Sequence, residues 1–312
     1  HRHHGTELIR TTMTIQKEHI TGYFRDLQDR ICRGLEQADG DGQFLEDHWE
    51  RPGGGGGRSR VLENGAVIEK GGVGFSAVWG ELHEAMHRSL GLNEGAQFYA
   101  TGVSIVIHPH SPKVPIIHMN VRYFELSNGT CWFGGGIDLT PIYVEPEDAR
   151  WFHQQLKLVC DRHSSDFYPR FKQWADDYFF NAHRNETRGI GGIFFDLLKP
   201  DENQSIEFLF GFVRDVAEAF VPIYTSLILR RSEEKFNEIE KQWQLLRRGR
   251  YVEFNLVHDR GTKFGLETNG RTESILMSLP PLASWKYNYH PKPDSPEAET
   301  LEWLRKGVDW VR

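Results

Sequence analysis

The chain has 312 residues, 38% hydrophobic and 26% charged, with a net charge of −7. That size allows a substantial core in one large domain or two smaller ones. The acidic balance argues against nucleic acid as a partner. No apolar run reaches the roughly eighteen residues of a membrane helix, so no integral membrane segment is expected. Cys32, Cys131 and Cys160 are widely spaced and form no CxxC pair. They point to a reducing compartment, and a cytoplasmic location is expected, with an organellar one left open. The opening HRHHG reads as a tag remnant, so residues 1–10 are treated as an extension and 11–312 as one domain.

In chain order, Ile20, Tyr23, Leu27, Ile31 and Leu35 recur at three- and four-residue steps and predict a helix over 11–38. Residues 39–60, with Gly53 to Gly57 at their centre, read as a loop, either linker or lid. Residues 61–70 carry an Asn-Gly hairpin signal. Gly72, Gly74 and Ala77 imitate a dinucleotide fingerprint, but the strand–helix repeats that should follow are missing. His83, Glu84 and His87 match HExxH, a pattern common by chance; a zinc hydrolase is the alternative it raises.

The stretch 98–124 alternates most clearly. Val103, Ile105 and Ile107 fall on one face of a strand, as do Ile117, Met119, Val121 and Tyr123 on the next. Paired as a hairpin, the two strands put Ser104, His108, His118, Asn120 and Arg122 on one polar surface, either a solvent face or a binding face. Gly134, Gly135 and Gly136 then strip side chains from a strand that a planar ligand could approach, and Asp138 follows. Helices are expected at 146–164, through Lys172, and at 204–230, 232–249 and 296–310, with short antiparallel strands between 251 and 279. About seven strands joined by hairpins, with six or seven helices, define an α+β fold: an antiparallel sheet covered by helices.

The most specific stretch joins a helix to a strand. It contains Lys172, Trp174, Tyr178, Phe179, Phe180, His183, Arg184, Glu186, Arg188, Gly189, Gly191, Gly192, Phe194, Phe195 and Asp196. These residues resemble the signature of oxygen-dependent coproporphyrinogen III oxidases. Ala175 stands where that pattern has Cys, and Asn181 where it has an aliphatic residue. PGGGGGRSRVLENG, IHMNVRYFE, WFGGGIDLTP and YVEFNLVHDRGTKFGLET extend the resemblance over nearly the whole chain.

The resemblance implies a homodimer on a flat seven-stranded antiparallel sheet with helices on both faces. It implies oxidative decarboxylation of coproporphyrinogen III to protoporphyrinogen IX with molecular oxygen as co-substrate and no organic cofactor. His118 matches the proton donor. Asp138 matches a carboxylate facing pyrrole N–H groups. Ser104, Asn120, Val121, Arg122, Arg260, Gly270 and Arg271 match substrate-binding positions. His108, His118, His153 and His183 match histidines that some members use for a divalent metal, a metal not expected to be required here. His183, Arg184, Glu186 and Arg188 are expected behind the substrate contacts, with Arg and Glu paired to one another at the corner. A tetrapyrrole carrier without catalysis is the remaining alternative. Which loop closes the site stays open, the glycine run at 53–57 being the candidate.

Overall fold

The computed structural model of the protein describes residues 3–91 and 95–312; side chains are described from residue 17 onward, apart from Ala85, Ser89 and residues 92–94. The side chains of the extension assigned to residues 1–10 therefore lie outside the described residues. One antiparallel sheet runs through the molecule. Its strands are β1 (Leu45–Glu50), β2 (Gly55–Glu63), β3 (Ile68–Glu81), β4 (Gln97–Pro109), β5 (Ile116–Leu126), β6 (Cys131–Thr140) and β9 (Gly192–Leu198), in that spatial order. A separate two-residue ladder, β7 (Phe180–Asn181) with β8 (Glu186–Thr187), sits before β9. The helices are α1 (His3–Asp39), α2 (Glu84–Leu90), α3 (Pro146–Asp161), α4 (Phe167–Tyr178), α5 (Ile206–Arg231), α6 (Glu238–Glu253), α7 (Arg260–Glu267), α8 (Thr272–Leu276) and α9 (Pro296–Trp303).

Alternation along the strands decides what each face does. Val103, Ile105, Ile117, Met119, Val121, Ile137 and Phe195 point one way, into a core shared with Phe24 and Leu27 of α1, Phe152 of α3, Phe171 of α4 and Phe212 of α5. Each such buried side chain contributes about 1.5–3 kcal/mol. The other face is set by register. One row across it reads Val61, Gly72, Val106, His118, Asp138, Gly192, and the next reads Ser59, Gly74, Ser104, Asn120, Gly136, Phe194. A third reads Gly57, Ser76, Gly102, Arg122, Gly134. Glycine thus recurs in every row of this face and opens gaps between a few polar side chains. The segment after α6 lies over it: the Met277 side chain sits where a Cβ at Gly72 or Gly74 would point.

Two expectations are overturned. Residues 39–60 are not a loop, because 45–50 and 55–63 are strands and the glycine run enters β2. The glycines suit the ladder here: a Cβ on Gly57 would meet the Trp49 ring and the Phe75 carbonyl of the flanking strands. Residues 53–57 therefore form a hairpin corner and a strand start, in place of a lid. The strands expected over 251–279 are instead the end of α6, a π-helical turn (Phe254–His258), α7 and α8. Helix wins at α7 because Asp259 caps it, accepting from the Thr262 backbone N–H at 3.0 Å and from its hydroxyl at 2.7 Å. The count of seven strands holds, with β1 and β2 in place of the C-terminal strands.

The hairpin signal at 61–70 is realised. Asn64 adopts φ of 54°, and the turn is built on Asp39 at the end of α1. That carboxylate accepts from Gly42, Ala66, Val67 and Ile68 backbone N–H groups at 2.7–2.9 Å. Burial alone would raise its carboxyl, but those N–H groups hold it below the usual range. Gly72, Gly74 and Ala77 lie within β3, so their fingerprint spacing belongs to a strand.

Candidate active site

His118 on β5 and Asp138 on β6 are opposite each other in the register, and that places imidazole Nδ1 2.7 Å from Asp138 Oδ1. Arg188 completes the group: its Nη2 donates to Oδ1 at 3.0 Å and its Nε to Oδ2 at 3.1 Å. Its remaining Nη1 donates to the Asn255 side-chain oxygen at 2.8 Å. Asp138 is 1% exposed and the Arg188 side chain 3%, so this is a buried ion pair with every charge partnered. Burial alone would raise the Asp138 carboxyl; Arg188 and His118 hold it below the usual range. Burial pulls on Arg188 in the opposite sense, and Asp138 outweighs it, so the guanidinium stays firmly charged.

Around the guanidinium lie Phe179, Tyr251 and Phe254, with ring centroids at 4.5, 4.5 and 4.8 Å. Phe254 and Asn255 reach this position because α6 runs on into the wider π-helical turn. Gly189 and Gly191 let the chain leading to β9 lie flat on β6. Ile190 donates to the Leu139 carbonyl at 3.0 Å, Leu139 to the Gly191 carbonyl at 3.1 Å, and Gly191 takes φ of 74°.

The corner at 183–188 does not pair within itself, because each side chain reaches outward. Arg184 binds both oxygens of Glu253 at 2.8 and 2.9 Å, Glu186 accepts from Arg247 at 2.9 Å, and Arg188 turns in to Asp138. The 3-10 turn Ala182–Arg184 and left-handed Asn185 splay the three in different directions. His183 donates or accepts at 2.9 Å with His258 Nε2 and lies 2.6 Å from Glu253 Oε1.

Of the substrate-binding positions, Ser104, Asn120 and Arg122 share the polar face. Arg122 donates to Asn120 at 2.8 Å and pairs with Asp196 at 3.1 Å, half exposed. Val121 does not share it: alternation turns its side chain into the core, where it is fully buried. Arg260 starts α7, exposed, beside Asp259, which accepts from Tyr178 at 2.8 Å. Arg271 pairs with Asp47 of β1 and donates to Ser274 at 2.8 Å. At about 4.8 Å per strand, β1 lies about 19 Å from β5, so Arg271 is not gathered beside Arg122 and His118. Gly270 closes the α7–α8 turn, donating to the Gly265 carbonyl at 2.7 Å.

The four histidines proposed for a metal are separately engaged. His153 is buried in α3, with its two ring nitrogens 2.9 Å from the Tyr168 hydroxyl and 2.8 Å from the Ile190 carbonyl. His108 bonds the Ser278 carbonyl at 2.8 Å. Burial pushes His108 down to about 3 and His153 to about 4, so both are neutral. Among the described residues no group of three or more His, Cys, Asp or Glu side chains is gathered for a metal. The four-histidine set does not fit a cation as placed, and neither does HExxH: His83 precedes α2 and packs edge-on to Phe264, and no third ligand joins it and His87 among the described residues.

Sequence reading missed Phe179, Tyr251, Phe254 and Asn255 as part of the site. The available signal was burial at helical spacing, Tyr251, Phe254 and Asn255 inside and Leu256 and Val257 outside, which strand-forming residue types disguised.

An antiparallel sheet with a buried carboxylate–imidazole–guanidinium group on a face opened by glycine defines an α+β protein with an enzyme-like polar site under a helical cover. The family model for coproporphyrinogen III oxidase matches residues 19–310, nearly the whole chain, and the protein belongs to that family. The family comprises oxidoreductases that act on coproporphyrinogen III in porphyrin and haem synthesis. No helix among the described residues is long and apolar enough to cross a membrane.

Proposed function

We propose that the protein is an oxygen-dependent coproporphyrinogen III oxidase, converting two propionates to vinyls with His118 and Asp138 at its centre. The observation that carries this is the His118–Asp138–Arg188 group on a face opened by glycine for a flat ring, with Arg122 on that same face. Each step balances simply: one propionate arm, one dioxygen and one proton give one vinyl group, one carbon dioxide and one hydrogen peroxide. The substrate's carbon–hydrogen and carbon–carboxylate bonds supply the two electrons, and dioxygen takes them.

The chain's own residues would bind, orient and move the proton. Arg suits carboxylate recognition by paired N–H donors, and Arg122 and Arg260 are the partly exposed cations near this end of the face. Asp138, fixed by Arg188, holds His118 through Nδ1 and leaves Nε2 to deliver a proton. Three of the roughly four acceptor positions of Asp138 are occupied. Contact with pyrrole N–H groups therefore requires its remaining position and displacement of the cover formed by residues 254–279. Oxygen dependence is further supported by the cysteines. All three are free and buried, and no three stand together as an iron–sulfur cluster demands.

No metal step is invoked, so EDTA should leave the rate unchanged. A homodimer in the cytoplasm completes the proposal; the exposed Leu256, Val257, Phe264 and Leu266 of the cover segment, with Leu282 just beyond it, favour self-association, which sedimentation checks. The decisive assay incubates the protein with reduced substrate in air and under argon. Two equivalents each of carbon dioxide and peroxide, with protoporphyrin fluorescence after oxidation, are expected in air alone. Binding without oxygen uptake would make it a carrier; turnover under argon would refute oxygen dependence.

A further inference from the structure

A second polar site lies behind the signature corner, and one of its arginines lacks an acceptor. A cavity of about 210 Å³ opens between α6, α9 and the 183–186 turn, lined among others by Arg184, Glu186, Trp243, Arg247, Arg250 and His290. The Arg250 side chain is only 13% exposed. It donates no hydrogen bond to any described residue: its buried Nη1 lies 3.6 Å from Glu253 Oε2, close enough for an ion pair but too long for a hydrogen bond. Buried guanidinium groups are normally satisfied, because a lost hydrogen bond to a charged donor is costly.

The reason is that the carboxylate within reach, Glu253, is already taken. Glu253 accepts from His183, from Arg184 twice and from Trp285 at 2.8 Å, which fills its lone pairs and leaves Arg250 at 3.6 Å. Glu186 serves Arg247. Three arginines therefore share two carboxylates around one cavity. Burial, then Arg184 and Arg247 beside it, hold the Arg250 guanidinium below the usual arginine value, as positive crowding does.

We propose that this cavity binds the oxyanion head of a small phosphate- or carboxylate-bearing ligand, with Arg250 as its principal donor and Arg247 and Arg184 as flanking charges. The site is separate from the His118–Asp138 face. Guanidinium groups bind oxyanions by paired N–H donors, and Trp243, Leu246 and Leu301 give the cavity an apolar wall for the rest of the ligand.

The test uses the full chain. Thermal midpoints are measured in inorganic phosphate, phenyl phosphate and benzoate against chloride at equal ionic strength. Saturable stabilisation is expected, about 4 °C at roughly 100-fold above the dissociation constant. Benzoate without effect identifies phosphate as the head, and phenyl phosphate binding tighter than phosphate assigns the apolar wall. Arg250→Gln should lose the shift at least tenfold in affinity while keeping basal turnover, and Arg250→Lys should keep part of it. No saturable shift in the wild type, or an equal shift in Arg250→Gln, overturns the proposal. Should Arg250→Gln fold poorly, wild-type crystals soaked in tungstate decide: anomalous density within hydrogen-bond reach of Arg250 supports the site, and ordered water alone refutes it.

Discussion

Replacing Arg188 by Met removes the guanidinium bonded to Asp138 while keeping an unbranched apolar side chain among Phe179, Tyr251 and Phe254. Two charge-assisted bonds at 3.0 and 3.1 Å disappear, and a carboxylate that is 1% exposed keeps only His118. Breaking one side of a buried ion pair costs about 3–5 kcal/mol, chiefly because the survivor stays buried and charged. Adding Asp138→Asn removes that stranded charge. The double variant should therefore recover about 2 kcal/mol over Arg188→Met alone, although two substitutions have been made. Urea unfolding with all four proteins of the cycle measures this. The pH dependence gives a second readout. In the wild type the Asp138 carboxyl lies below its unfolded value, so its contribution is present above about pH 4 and lost as pH falls through the folded value. In Arg188→Met burial dominates, the carboxyl rises above its unfolded value, and stability near Asp138 increases as pH falls toward 4. A loss under about 1 kcal/mol, or a double variant that loses the sum of the two singles, refutes the account.

Gly134→Ala would put a Cβ 2.6 Å from Asp196 Oδ1 and 2.7 Å from Arg122 Nε. It should split that pair and raise KM for a carboxylate substrate about tenfold, with a midpoint change under about 3 °C; an unchanged KM removes Arg122 from binding. Asp39→Ala strands the buried backbone donors of the 65–68 turn and should cost about 3 kcal/mol in urea unfolding. Asp39→Asn should flatten the wild-type acid response, since the depressed carboxyl gives stability above about pH 4 that is lost as pH falls through its folded value. His153 is held neutral down to about 4, against about 6.5 unfolded. The unfolded chain therefore takes up the proton first, and stability declines between about pH 6.5 and 4. His153→Gln can still donate to Ile190 and accept from Tyr168; a stability curve with the same slope across that window as wild type would exclude His153 as its source.

What was legible in the sequence is what strict alternation and turn chemistry determine. From Thr101 to Tyr123 the period of two left no choice of face, and the short Pro- and Ser-rich turn left little choice of partner. Ser104, Asn120, His118 and Arg122 could therefore be placed on one surface before any coordinates. Asp138 joined them because the next strand pairs in register with β5. The Asp138 contact to Arg188 was not legible, since fifty residues separate the two and the local sequence offers Glu186 as a nearer partner. Only the left-handed Asn185 and the glycine corner, which turn Arg184 and Arg188 in different directions, decide between them. The 251–258 stretch failed for the opposite reason. Tyr251, Val252, Phe254 and Val257 have strand propensity, but three aromatic or amide side chains must close around Arg188. A π-helical continuation of α6 brings Tyr251, Phe254 and Asn255 to one side, which a strand's alternation would not. Tertiary demand at the buried charge outweighed local preference there. The glycine run at 53–57 makes the same point from a different side. Glycines lose the most entropy on ordering, yet at Gly55, Gly56 and Gly57 the ladder with β1 and β3 leaves no room for a Cβ, so the residue type that looks least like a strand is the one that fits it.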